Sequence, residues 1–111
     1  MNEHTETNLW AAKMCGHTVR SYETEGIDLV DVFEYGALRE FDIYADTSQG
    51  SIDREQVDDE LKRRGISIMK LPDGYSPSQY NAPMEDYIHK GFFPTRKEAR
   101  AAAVRAVMES T

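Results

Sequence analysis

A single cysteine, Cys15, is all the thiol this chain has, so no internal disulfide can hold it together. No apolar run approaches the roughly 18–20 residues that a membrane-spanning helix needs. The opening residues, MNEHTETN, lack the basic and then apolar pattern of a secretory signal. These absences lead to the expectation of a cytoplasmic protein with no membrane partner. Positive charge is scarce as well: 13 Lys and Arg stand against 20 Asp and Glu, for a net charge of −7. Phosphate loop, dinucleotide fingerprint, nucleophile elbow and HExxH are all missing, so the text supports no enzyme and no cofactor. Cys15 and His17 are two apart, but zinc wants four ligands, usually paired, and His89 is distant while His4 falls in the loose tail. A thiol buried at the end of a helix accounts for Cys15 without a metal.

What is present fits one α+β domain. At 111 residues the chain is near the commonest domain size. Residues 1–7 read as a flexible tail and 8–111 as the domain. Thr7 can cap a short helix that stops at Gly16. Three strand-like runs follow, at His17–Glu25, Ile27–Tyr35 and Ala37–Ala45, with turns at Glu25-Gly26 and Gly36-Ala37 short enough for hairpins. In the second run Ile27, Leu29, Phe33 and Tyr35 alternate against Val30, Val32 and Glu34, and in the third Phe41, Ile43 and Ala45 alternate against Glu40, Asp42 and Tyr44. Thr47 to Ser51 breaks the pattern. Asp53 then reads as the N-cap of a helix running to Arg64, with Ile52 and Val57 as a hydrophobic staple. Gly65 to Leu71 is a fourth strand. Tyr75 to Met84 has no period and reads as a loop, and Tyr87 to Phe93 as a short fifth strand. The predicted architecture is a mainly antiparallel sheet of four or five strands packed by two or three helices, in the order α-β-β-β-α-β-(β)-α.

The chain closes on GFFPTRKEARAAAVRAVMEST. Thr95 and Glu98 have the spacing of a capping box. Ala99, Ala102, Ala103, Ala106 and Val107 share one helical face, with Arg96, Lys97, Arg100 and Arg105 away from its centre. An alanine face lets a helix axis come close to a sheet. Thr95-Arg96-Lys97-Glu98-Ala99-Arg100 and the alanines that follow resemble, over about sixteen residues, the closing helix of double-stranded-RNA-binding domains. In that family basic residues at the helix start grip phosphates. The resemblance implies nucleic-acid contacts through Arg96, Lys97 and Arg100. It does not extend to the rest of the chain, where a helix stands in place of the family's continuous strands.

Charge separates along the chain. Residues 1–60 hold fifteen acidic and four basic side chains, and residues 61–111 five acidic and nine basic. Most of the chain should repel nucleic acid. The expectation is a small, acidic, non-enzymatic protein-binding module that inhibits a partner by covering its basic, nucleic-acid-binding surface, as phage anti-CRISPR, anti-restriction and immunity proteins do. The partner-binding candidates are Glu40, Asp42, Asp58 and Asp59, predicted to face solvent, and the loop tyrosines Tyr75 and Tyr80. The alternative is a nucleic-acid binder through the last helix.

Overall fold

The computed structural model describes residues 2–79, 82–83 and 92–109. Its elements are α1 (Glu3–Met14), β1 (Thr18–Thr24), β2 (Ile27–Glu34), β3 (Ala37–Glu40), α2 (Ser48–Arg63), β4 (Ile66–Leu71), β5 (Gly74–Gln79), β6 (Ala82–Pro83) and α3 (Arg96–Glu109). The class is α+β and the order is the expected one. The strands pair antiparallel in two three-stranded sheets, β1-β2-β3 and β4-β5-β6, where a single sheet was predicted. Contacts gather into two compact units, one ending at Val57 and the other beginning at Asp58.

In the first unit, α1 begins at Glu3 rather than at Thr7. Asn2 is the cap: its side chain accepts from the Thr5 amide at 2.8 Å, and Glu3 and Glu6 suit the helix dipole of the first turn. Residues predicted as a loose tail therefore start a helix, and Thr5 and Thr7 are buried. The helix ends in a Schellman motif, with Gly16 at φ 83° and the His17 amide reaching the Ala12 carbonyl at 3.1 Å. α1 packs on β1 and β2, and Ala11, Ala12, Met14, Val30, Val32, Phe41, Ile43 and Val57 form the core. The hairpin turns are Glu25-Gly26 and Tyr35-Gly36. Both have positive φ at both residues (51° and 77°, 52° and 79°), the conformation whose twist matches paired strands.

β3 stops at Glu40, five residues short of the predicted Ala45, because side chains take the next amides. The Phe41 amide still reaches the Val30 carbonyl at 2.8 Å, but that of Asp42 goes to Asp53 Oδ2 and that of Ile43 to Asn8 Oδ1. The predicted break at Thr47–Ser51 is instead the first turn of α2, capped by Thr47 Oγ1 on the Gly50 amide at 3.0 Å. Gly50 is tolerated there for a packing reason: a Cβ would meet the Ala45 carbonyl oxygen. Asp53 is thus inside the helix, not its cap, and Ile52 is 46% exposed rather than a staple.

In the second unit β4 and β5 form a hairpin around Pro72-Asp73, and α3 packs on both strands. The segment predicted as a loop from Tyr75 supplies β5. Pro77 fits because the Tyr75 amide points to Phe93, away from β4. Two residues on, the missing N–H of Pro77 lies on the same edge and costs β4 no bond. The predicted strand from Tyr87 lies mostly outside the described residues. In α3 the Thr95 hydroxyl accepts from the Glu98 amide at 3.2 Å, and Ala99, Ala102, Ala103, Val104 and Val107 are buried. Ala103 has no exposed surface, so Ala103→Leu is expected to cost about 1–3 kcal/mol by overpacking. The half-buried Ala101 should accept leucine more cheaply. Urea midpoints of the two variants check the helix phase.

Candidate partner-binding surface

The two faces of the β1–β3 sheet have opposite characters. Cross-strand partners share a face, so Val19, Val32 and Arg39 lie together on the inner one, with Ser21 and Val30 beside them. The outer face carries the row Arg20, Asp31, Glu40, the row Thr18, Phe33, Leu38, and the pairs Tyr22–Leu29 and Thr24–Ile27.

The inner face is built on a polar network that leaves few groups unmatched. Asp53, only 1% exposed, accepts from Arg39 Nη1 at 2.7 Å and from the Asp42 amide at 3.0 Å. Arg39 also donates from Nε to Glu34 Oε1 at 3.1 Å. Glu34 Oε2 accepts from Gln56 Nε2 at 3.3 Å, and Gln56 Oε1 lies 2.8 Å from His17 Nε2. The hydrogen bond from Arg39 holds the Glu34 carboxyl below the usual carboxylate range; burial opposes this and the Gln56 bond adds to it. Burial works to lower the Arg39 pKa, but the bonds to Glu34 and Asp53 outweigh it and raise it.

Among the described residues, the outer face keeps large apolar side chains exposed around a buried Asp31. Tyr22, Ile27, Phe33 and Leu38 are 37%, 59%, 53% and 46% exposed, and Tyr35 at the hairpin tip stands out at 99%. With Tyr35, the meander carries five of the eight exposed large hydrophobics among the described residues. Five exposed apolar side chains on one meander make this face the candidate for an interaction surface. Arg20 donates to Asp31 Oδ2 at 3.0 Å, with its guanidinium 5.0 Å from the centre of the Tyr22 ring. Glu40, at the other end of the row, has no cation to pair with among the described residues. Partial burial and then the carboxylates of Asp42, Asp31 and Asp53 push its pKa up. A raised carboxyl opposes folding in full above its folded-state pKa; the opposition fades as pH falls through that pKa and is gone below the unfolded value near 4.5. Glu40→Gln should therefore raise the urea midpoint at pH 7 and leave it unchanged near pH 3.

The predicted site residues separate by unit and by role. Glu40 and Asp59 are exposed. Asp42 is not a loose surface charge: it accepts from the Tyr44 amide at 2.9 Å and from Asn8 Nδ2 at 3.1 Å. Asp58 is taken up by Arg100, which donates to both its oxygens at 2.7 and 3.0 Å. Tyr75 is half-buried in β5 rather than on a loop, and Tyr80 lies outside the described residues. In the last helix Arg96 is exposed, with its guanidinium 5.4 Å from the Tyr75 ring centre, and Lys97 is half-buried. Arg100 is 3% exposed and points at Asp58, so it does not present itself to phosphate as the alternative required. Sequence reasoning missed the apolar outer face, although the separation of Ile27, Leu29 and Phe33 from Val30 and Val32 was its signal.

Among the described residues, no group of three or more His, Cys, Asp or Glu side chains is placed to hold a metal. His17 is engaged with Gln56, and His4 stacks on Tyr44 with ring centres 3.8 Å apart. No described helix is long and apolar enough to cross a membrane. Comparison with family models, with curated proteins and with solved structures found no match to the chain.

Proposed function

We propose that this chain is a small, acidic, non-enzymatic protein-binding module that inhibits a partner by covering a basic, nucleic-acid-binding surface. One observation carries the reading: each arginine of the first unit is engaged by an acceptor of that unit. The unit holds twelve acidic and four basic side chains, and three of those four are arginines. Arg39 is held by Glu34 and Asp53, Arg20 by Asp31, and Arg54 by the carbonyls of Ile43 and Ala45 at 3.2 and 2.7 Å. Exposed Glu23, Glu25, Glu40 and Glu55 outnumber exposed Lys13 and Arg20 in the outward field, next to an apolar sheet face. Charge of one sign steers encounter with the other, and apolar area then slows release.

The test is association kinetics with a basic partner recovered by pull-down, at two salt concentrations. The expected result is a rate that falls as salt rises. It should drop by about tenfold when Glu23, Glu25, Glu40 and Glu55 are changed together to glutamine. A gel shift with duplex RNA and DNA runs beside it. Retarded duplex at physiological salt, abolished by Arg96→Ala with Lys97→Ala, would replace this reading with the nucleic-acid one.

A further inference from the structure

We infer that the outer face of the β1–β3 sheet seats an arginine side chain of the partner protein, over the Phe33 ring and against the Glu40 carboxylate. The inference rests on the protein-binding reading and names the contact within it.

The face already shows how it holds a guanidinium. Arg20 lies over the Tyr22 ring and donates to Asp31, so one aromatic ring and one carboxylate on neighbouring strands hold one planar cation. The other half of the face repeats the two acceptors without the cation. Glu40 is the cross-strand partner of Asp31, and Phe33 is the cross-strand partner of Leu38, two residues before Glu40. Phe33 and Glu40 are therefore diagonal neighbours on one face. Such positions lie about 7–8 Å apart, a gap that a guanidinium bridges while stacking on one and bonding to the other. Leu38, 46% exposed, flanks the gap and offers apolar surface to the arginine stem. Asp31 is satisfied by Arg20, so Glu40 is the acceptor left over. Lysine lacks the planar fork that serves ring and carboxylate together, which makes the seat selective between two side chains of equal charge.

The experiment uses the whole chain, labelled for amide NMR, and two probes: a hexa-arginine and a hexa-lysine peptide. Arginine peptide should bind roughly three- to fivefold tighter than lysine peptide. Amide shifts should centre on Phe33, Leu38 and Glu40, with contacts between arginine methylenes and the Phe33 ring. Glu40→Gln and Phe33→Thr, each checked for an unchanged fold by the dispersion of its spectrum, should remove the arginine preference. Equal affinity for the two peptides, or shifts spread over Glu23, Glu25 and Glu55, would overturn the seat and leave a basic partner in place. Binding of neither peptide at low salt would overturn the seat and the protein-binding reading together.

Discussion

Arg39→Met should lower the stability of this protein by about 3–5 kcal/mol, the usual cost of taking one member from a buried ion pair. The size follows from what is left behind. Asp53, 1% exposed, would be left inside the first unit with only the Asp42 amide and the distant Gln49 amide, at 3.4 Å, for support. Glu34 would lose both donors of the same guanidinium. Methionine supplies the lost stem but no donor. Equilibrium urea unfolding measures the loss, and a second substitution identifies its cause. Asp53→Asn in the Arg39→Met background removes the stranded charge and should return part of the stability, although Asp53→Asn alone is destabilising. That sign reversal is a coupling that a packing defect would not produce. The loss should also change with pH. Glu34 titrates below its ordinary value in the folded state, so its contribution is complete above the unfolded pKa near 4.5 and disappears as pH falls through the folded one. The gap between wild type and Arg39→Met should therefore narrow in acid.

Asp58→Asn comes second, at about 3 kcal/mol, with its neighbour Asp59→Asn within the noise of a surface change. The Asp58 side chain is 39% exposed, which argues for the lower end of the range, but the arginine side chain it serves is 4% exposed. Arg100 donates to both carboxylate oxygens, so the substitution costs one good acceptor and leaves a buried cation poorly matched. If Asp58→Asn and Asp59→Asn unfold at the same urea concentration, the Asp58–Arg100 pair contributes nothing measurable. The comparison matters for function as well. Asp58 and Asp42 cannot enter a test of acidic-surface binding, because their loss would disturb the structure that presents the surface. Glu23, Glu25, Glu40 and Glu55 can.

Where local rules decide a structure, the chain was readable. Positive-φ turn residues at Glu25-Gly26, the stop at Gly16, the Thr95 cap and the alanine face of α3 each act over a few residues, and each is present. The errors fall where a distant partner decides. Asp53 has the sequence signature of a cap, but Arg39 and the Asp42 amide draw it into the body of α2. Gly50 reads as a breaker until Ala45 is found against it. Arg100 belongs to a basic face by spacing alone, and to the interior once Asp58 is across from it. Pro77 argues against a strand unless the edge its missing amide faces is known. For the candidate surface, sequence supplied the acidic excess and the alternation of β2. It did not reveal which face of that strand the core would take.

The tight turns at each end of β2 have a consequence for how this protein can change. Both are two residues long, and the strand between them is held on both sides. An inserted or deleted residue in either turn would move β2 by one position against its neighbour. Asp31 and Phe33 would then face inward, and Val30 and Val32 would face water. Substitutions can retune this surface one side chain at a time, whereas a change of length exchanges it for its opposite unless a bulge absorbs the extra residue. Variation in the meander is therefore expected in residue identity and not in spacing. A library of single-residue insertions, scored for folding, should be depleted at 25–26 and 35–36 and permissive at exposed positions outside the sheets.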